Sequence, residues 1–135
     1  MREIKFRLWD KLGNKIVTPN KNIYLNLLGQ VVTDSPENGE IIPFSKDTYE
    51  LNQSTGLQDV TGKDIYEGDI VDVGKVMQRY CIIEFKNAKF VLKFQDDFEA
   101  GSPTDMNIFL ERIRVIGNIY ENPELLERGR GKNNE

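Results

Sequence analysis

The sequence predicts an all-β protein. Apolar and polar residues alternate with a period of two along several segments, which is the pattern of strands with one buried face. Glycine- and asparagine-rich turns separate these segments, and one short stretch near the C-terminus has the start and stop signals of a helix. The 135 residues suffice for one or two small domains with their own core, so folding requires neither a metal nor a disulfide.

Residues 1–49 are predicted to form β-hairpins. Apolar residues alternate from Ile4, so that Lys5, Arg7 and Trp9 share the opposite face of the first strand. The elements expected after it are a turn at 10–14, a return segment at 16–17, segments 23–27 and 31–32 about a turn containing Gly29, a polar loop at 34–40 and an apolar segment at 41–44.

Residues 50–127 are predicted to add further strands and a short helix. A strand at 49–53 leads into Gly56, Gly62 and Gly68, each expected in a turn with positive φ, before a strand that starts at Asp69. The later elements are a strand within 76–85, a turn at Asn87 and Ala88, a strand at 89–94, an acidic loop at 95–106, a helical turn at 108–112, a strand at 114–120, and a helix with Asn122 as N-cap, Pro123 as first residue and Gly129 as stop. The tail 128–135 lacks hydrophobic residues and is expected to be disordered.

The amino-acid composition excludes several classes of protein. Because the chain has no histidine, it lacks the commonest general base and zinc ligand, which excludes hydrolases that depend on an imidazole. The one cysteine, Cys81, lies in an apolar run, so we expect a buried structural thiol in a reducing cytoplasm. The N-terminus is too charged for a signal peptide, and no segment has the length of a membrane span. The net charge of −4 does not favour nucleic acid or anionic lipid.

Three ordered motifs resemble the YopX family, which is encoded by phages and prophages of mainly Gram-positive bacteria. They are residues 5–10 (KFRLWD), residues 55–59 (TGLQD) with 66–71 (YEGDIV), and residues 115–125 (VIGNIYENPEL). The resemblance spans nearly the whole chain and departs at the loops around Pro36 and Gly101. It implies a mostly β architecture with a C-terminal SH3-like barrel, here residues 50–127. It implies no reaction, ligand, cofactor or catalytic residue.

The densest group of carboxylates has two interpretations. It could bind a hard divalent cation or supply an acid and a base, or its members could accept backbone N–H groups in turns; they are Asp64, Glu67, Asp69 and Asp72. We favour the turn interpretation, because strand alternation sends Asp69 and Asp72 to opposite faces. The carboxylates of the acidic loop lack the spacing of a calcium loop, so the sequence predicts no metal site.

The segment 85–94 interleaves lysines with phenylalanines, which is the composition of a stacking platform for nucleic acid. Alternation, however, places Phe90 and Phe94 on the face opposite Lys89 and Lys93. A core face backed by a solvated lysine face explains this pattern without a ligand. Lys89 and Lys93 are therefore the candidates for a nucleic-acid contact, but the pattern does not require one.

Trp9 and Arg7 are the candidates for a protein contact, because tryptophan and arginine are enriched at binding hot spots. The alternative is that Trp9 seals the junction between the two β regions.

The sequence, with its resemblance, predicts a non-enzymatic phage or prophage accessory protein without a cofactor. We expect it to bind a host or phage protein, or a second copy through exposed strand edges. A nucleic-acid-binding small β-barrel is the alternative function, and a carboxylate-based hydrolase ranks third.

Overall fold

The computed structural model describes residues 4–35, 37–74, 80–94, 104–105 and 110–128. Contacts divide the chain into two compact units, here called the N-terminal unit (Phe6–Asn52) and the C-terminal unit (Met1–Lys5 and Gln53–Glu135). Most of the acidic loop and the tail after residue 128 lie outside the described residues. Within the described part, no helix is long and apolar enough to cross a membrane.

The N-terminal unit contains two antiparallel arrays. β1 (Phe6–Asp10) lies between β2 (Lys15–Val17) and β6 (Tyr49–Gln58), and β6 begins in this unit and ends in the other. β3 (Ile23–Leu25), β4 (Val31–Asp34) and β5 (Ile41–Pro43) form a three-stranded sheet in that order. A 3₁₀ turn, Lys46–Thr48, precedes β6. β3 and β5 lie within segments that the sequence pattern predicted, whereas β1, β2 and β4 extend one or two residues beyond theirs and β6 continues past its predicted end at residue 53.

The core of the N-terminal unit is small. Leu8, Val31 and Tyr49 are its buried centre, and five partly buried side chains pack against them: Val17, Ile23, Leu25, Phe44 and Leu51. The β1–β2 turn forms at its predicted place because Asp10 Oδ1 accepts the N–H groups of Leu12 and Gly13 at 3.0 and 3.1 Å. The unit therefore combines a modest core with turns that side chains stabilise.

The C-terminal unit contains a five-stranded antiparallel sheet. Its strands are β8 (Asp69–Asp72), β9 (Tyr80–Lys86), β10 (Lys89–Phe94), β11 (Thr104–Asp105) and β12 (Arg114–Asn118), in the order β11-β10-β9-β8-β12. The second half of β6 pairs with β7 (Asp64–Tyr66), and α1 (Glu124–Arg128) follows β12. The core consists of side chains that are at most 1% exposed: Ile65, Val71, Val73, Cys81, Ile83, Leu92 and Ile113. The predicted burial of Cys81 is confirmed.

Gly68 shows why the glycine-rich segment has its sequence. It is buried at a φ of +85°, its N–H donates to the Ile83 carbonyl, and its own carbonyl accepts the Ile119 N–H, both at 2.9 Å. A side chain is strained at this φ, so the turn between β7 and β8 requires glycine. The predicted positive φ is confirmed at Gly56 and Gly62 as well.

The all-β prediction is confirmed, with one short helix in the described chain. Strand alternation is wrong at several of the described residues. Arg7 was assigned to the polar face and is buried, and Val91 was grouped with the lysines but is 2% exposed. Because Leu92 next to Val91 is also fully buried, the sheet is covered on both faces at this level, which alternation does not reveal. Alternation with Cys81 and Ile83 predicts Phe85 on the core face, but it is 50% exposed, since β9 extends past the core.

The C-terminal end differs from the prediction in one detail. β12 ends at Asn118, whose Oδ1 accepts the N–H groups of Tyr120 and Glu121 at 3.0 and 2.8 Å. The predicted N-cap, Asn122, uses its Oδ1 to accept the Asn118 N–H at 3.2 Å, and the helix starts at Glu124. The asparagines therefore end the strand and fix its turn into the helix.

Candidate binding surface of the N-terminal unit

The most exposed apolar side chains of the described chain lie at the tip of the β3–β4 hairpin. Leu27 is 105% exposed and Leu28 is 83% exposed, and both belong to a tight turn at residues 26–30, here called the leucine turn. Single exposed leucines are ordinary, but two adjacent ones at a projecting tip form an apolar knob. Burial of such a knob by a partner is favourable, so the leucine turn is a candidate contact surface.

The leucine turn is held in place by Asn26. Its Oδ1 accepts the N–H groups of Leu28 and Gln30 at 2.9 and 3.0 Å, and its Nδ2 donates to Gln30 Oε1 at 2.9 Å. The backbone adds hydrogen bonds from Asn26 N–H to the Gln30 carbonyl and from Gly29 N–H to the Asn26 carbonyl, both at 3.0 Å. Gly29 has the positive φ, +82°, that the turn requires. The leucines are therefore presented on an ordered backbone, which reduces the entropy lost on binding.

An open apolar cleft lies beside this turn in the same unit. Leu25 and Val31, which flank the leucine turn, line the cleft together with Phe6, Arg7, Leu8, Pro19, Ile23, Tyr24 and Leu51. Its volume of about 10 Å³ is about that of one water site, far below the roughly 300 Å³ at which small-molecule sites begin. The cleft is therefore a shallow apolar groove with room for neither a cofactor nor an apolar side chain.

The segment around the turn is almost free of charge. Between Pro19 and Thr33 the sequence has one charged residue, Lys21, although 30% of the chain is charged. Interface centres are depleted of charged residues, because a charge must lose its hydration there. The exposure of the leucines, the ordered turn and the lack of charge thus all indicate the leucine turn as the candidate contact surface.

Arg7 and Trp9, the predicted protein contacts, are not on this tip. Arg7 is 8% exposed, and its Nε donates to Oδ1 of the buried Asn52 at 3.3 Å. A buried guanidinium requires such partners, so its position in the structure is that of an interior hydrogen-bonding group. Trp9 is half-buried on β1. Binding through these two residues stays a prediction.

Lys89 and Lys93, the predicted nucleic-acid contacts, are exposed on β10. Lys93 Nζ lies 3.5 Å from Glu84 Oε2, so a carboxylate partly neutralises its charge. Lys89 is paired in register with Lys86 across the hairpin turn. The Phe85 and Phe90 rings pack edge to face, with centroids 4.9 Å apart, and lie on the opposite side of the hairpin. The structure therefore separates the lysines from the aromatic rings.

The carboxylate group is dispersed. Asp64 Oδ2 lies 2.9 Å from Lys5 Nζ, and this hydrogen bond, followed by one from Gln58, lowers the pKa of Asp64. Three others accept backbone N–H groups: Glu67 from Gln53, Asp69 from Tyr66 and Asp72 from Gly74, at 2.8 to 2.9 Å. Among the described residues, no three histidine, cysteine or acidic side chains are placed to hold one metal ion. The turn interpretation is confirmed for Asp69 and Asp72, which accept N–H groups two or three residues away, whereas Glu67 accepts the Gln53 N–H from β6.

Asp59 was not singled out in the sequence, yet its carboxylate accepts four hydrogen bonds from described residues. Its Oδ1 accepts the Thr61 N–H, the Thr61 hydroxyl and the Lys63 N–H at 2.7 to 3.0 Å, and its Oδ2 accepts the Val115 N–H at 2.8 Å. Burial raises the pKa of Asp59, but these hydrogen bonds outweigh it and lower the pKa from 3.8 to about 2. With its oxygens engaged, Asp59 is a structural anion that ties the β6–β7 loop to β12.

The sequence predicted a turn containing Gly29, but it did not predict that Leu27 and Leu28 are exposed there. It assigned Leu27 to the end of an apolar strand segment, because an apolar run favours burial. Two signals could have identified the tip: Asn26 and Gly29 frame the two leucines as a turn, and the surrounding segment lacks charge.

Known proteins share this architecture. Protein EF1440 from Enterococcus faecalis has a crystal structure that is 29% identical in sequence, with a TM-score of 0.59 and coverage of 93% of this chain and 99% of that chain. Protein yopX from Bacillus subtilis is 22% identical, with a TM-score of 0.61 and the same coverage, so it supports the fold alone. A comparison with curated proteins gives no match. A family model described as YopX protein matches residues 5–127, and the chain therefore belongs to the YopX family.

Proposed function

We propose that this YopX protein is a non-enzymatic, phage- or prophage-encoded binding protein of the bacterial cytoplasm. Its partner is a host or phage protein, and its contact surface is the leucine turn. The observation that carries this proposal is the pair of leucines, 105% and 83% exposed, on a turn ordered by Asn26. The SH3-like barrel that the family resemblance implies for residues 50–127 belongs to the same proposal.

The hydrogen bonds of the acidic residues support a binding rather than a catalytic role. Among the described residues, the candidate acids and bases are engaged with backbone N–H groups or with Lys5. A general acid or base must exchange its proton with a substrate, and a carboxylate held in a turn is poorly placed for that. The leucine turn, by contrast, has no role in the core of its own unit, because both side chains are exposed to solvent.

The test is an affinity capture of the tagged protein from lysogenic or infected cells, with and without nuclease, at low and moderate salt. We expect a specific protein partner that resists nuclease and moderate salt, since apolar contacts are weakly salt-dependent. The double variant Leu27→Ser/Leu28→Ser should lose it. The matched control is Leu12→Ser, which removes a leucine that is 80% exposed on the β1–β2 turn and should retain the partner. Retention by the double variant, or equal loss in the control, would overturn the proposed surface.

A nucleic-acid contact is the second candidate, and the tip of the β9–β10 hairpin favours it. Lys86 and Lys89 are like charges in direct register, an arrangement that an anion would relieve. In the same capture experiment this function would yield nuclease-sensitive material that falls steeply with salt. The double variant Lys86→Glu/Lys89→Glu should abolish that recovery. If the variant does not change it, this candidate is refuted.

A further inference from the structure

We propose that Asn38 is a site of spontaneous covalent modification, at which its side-chain amide is converted to a carboxylate. Of the asparagines in the chain, Asn38 is the one that a glycine follows. It lies in the loop that joins β4 to β5, where residues 37–40 are all exposed to solvent. The leucine turn precedes β4 and this loop follows it, so the inference does not rest on the proposed function.

The reaction is an attack of a backbone nitrogen on the neighbouring side chain. The Gly39 nitrogen loses its proton and forms a bond to Cγ of Asn38, while the bond from Cγ to Nδ2 breaks. Ammonia leaves with the proton that the backbone nitrogen lost, and a cyclic imide remains. Water then opens the ring. Addition at Cγ gives aspartate, whereas addition at the main-chain carbonyl gives isoaspartate, in which the chain runs through Cβ and Cγ.

A hydrogen bond holds and polarises the side-chain carbonyl of Asn38. Its Oδ1 accepts the Glu40 N–H at 2.9 Å, and this hydrogen bond closes a turn over residues 38–40. The oxygen gains negative charge when the Gly39 nitrogen attacks Cγ. A donor already aimed at such an oxygen stabilises the transition state, so the geometry favours ring closure.

Glycine at the next position leaves the attacking nitrogen accessible. Gly39 has a φ of +75°, and no described atom beyond the adjacent residues lies within 4 Å of the place that a Cβ would occupy. Without a Cβ, glycine adopts either sign of φ at little cost, and it presents no side chain to obstruct the ring. The backbone can therefore rotate into the conformation that the attack requires.

One hydrogen bond opposes the attack. The Gly39 N–H donates to the Ser35 carbonyl at 2.9 Å, so the nitrogen must leave this acceptor before it reacts. Because the loop is exposed, water can replace the lost partner, and the net contribution of such a hydrogen bond is equivalent to a factor of about five. We therefore expect the folded chain to react about fivefold more slowly than the unfolded chain.

The modification changes both the charge and the main chain of the loop. Each conversion adds one negative charge, close to Glu37 and Glu40, to a chain whose net charge is −4. Isoaspartate also lengthens the main chain by one atom, inside the segment that the Ser35 N–H closes by donating to the Glu40 carbonyl at 2.7 Å. The isoaspartate form should therefore lose this pairing, whereas the aspartate form should keep it.

Incubation of the full chain near neutral pH tests the proposal. We expect peptide mass spectrometry to find aspartate and isoaspartate at position 38 after days, at a rate that rises with pH because the attacking nitrogen must lose its proton. Asn20 and Asn26 are internal controls. The Oδ1 of each also accepts the N–H two residues on, at 2.7 and 2.9 Å, but lysine and leucine follow them. Both should stay intact, and conversion of either one as fast as Asn38 would overturn the argument.

Hydroxylamine detects the cyclic imide directly, because this nucleophile opens the ring and cuts the chain. The wild type should give the fragments 1–38 and 39–135, whereas Asn38→Gln, whose longer side chain must close a larger ring, should stay whole with an unchanged circular dichroism spectrum. Incubation in guanidinium chloride supplies the rate of the unfolded chain. A folded rate more than about a hundredfold below the unfolded rate would show that the loop protects Asn38, and it would refute the proposal.

Discussion

Protonation of Asp59 should destabilise the C-terminal unit. This carboxylate accepts four hydrogen bonds, three of them from backbone N–H groups, and its pKa is about 2 in the folded protein against 3.8 for the free side chain. A pKa that is lowered by folding means that the ionised form stabilises the folded state. The contribution is fully present above pH 3.8 and is lost as the pH falls toward 2.

The size of the effect follows from the pKa difference. A fall from 3.8 to about 2 is nearly two pH units, and each unit corresponds to about 1.4 kcal/mol. Asp59 therefore adds about 2 kcal/mol to the free energy of unfolding at neutral pH. Most of it should disappear between pH 4 and pH 2, because folded and unfolded states bind different numbers of protons only in that interval.

The variant Asp59→Asn isolates this contribution. Its Oδ1 can still accept from Thr61 and Lys63, but its amide group would face the Val115 N–H, so a donor meets a donor. The free energy of unfolding is measured by urea denaturation, followed by circular dichroism, at constant ionic strength from pH 7 to pH 2. All other titrating groups are shared, so the difference between wild type and variant reports Asp59 alone.

We expect a difference of at least about 2 kcal/mol at pH 7 that shrinks by about 2 kcal/mol by pH 2. Asp47→Asn, an exposed carboxylate on the 3₁₀ turn, is the control and should change the free energy of unfolding by less than about 0.5 kcal/mol throughout. A difference for Asp59→Asn that stays constant from pH 7 to pH 2 would refute the argument. So would a Val115 amide whose hydrogen exchange is as fast in the wild type as in the variant.

Two further stability predictions concern the five-stranded sheet, and urea denaturation tests both. Ala88→Gly should stabilise the protein by about 0.5 kcal/mol, because Ala88 has a φ of +66° and relief of that strain exceeds the entropy that glycine adds to the unfolded chain; a loss of stability would contradict it. Leu92→Ala should lower the free energy of unfolding by about 2 to 5 kcal/mol, because Leu92 is fully buried and its truncation leaves a cavity. A loss below about 1 kcal/mol would show that the core closes around the gap.

Turns that depend on a few neighbouring residues could be predicted from the sequence. The β9–β10 hairpin was predicted because Asn87 and Ala88 separate two alternating runs, and both adopt the positive φ of a tight hairpin turn. The turn after β7 was predicted from Gly68, which the structure places at φ +85°. In each case a backbone requirement acts over a few residues, so neighbouring sequence suffices to detect it.

What the sequence could not show depends on contacts between distant residues. Arg7 is buried because Asn52, 45 positions away, accepts its Nε hydrogen bond, and alternation carries no information about such a partner. Asp59 and Val115 are 56 positions apart, so the sequence around Asp59 indicates an ordinary turn residue and not its hydrogen bond to β12. The exposure of the leucine turn was not predicted for a different reason. Apolar residues are expected to be buried, and Leu27 and Leu28 are not.

The exposed leucines are separable from the folding of their unit, and this makes their role testable. The turn at residues 26–30 owes its geometry to Asn26 and Gly29, whose hydrogen bonds and φ do not involve either leucine side chain. Serine at both positions should therefore leave the free energy of unfolding within about 0.5 kcal/mol of the wild type. Two apolar side chains that contribute nothing to the fold still lower solubility, so their presence on an ordered tip is best explained by a partner that buries them.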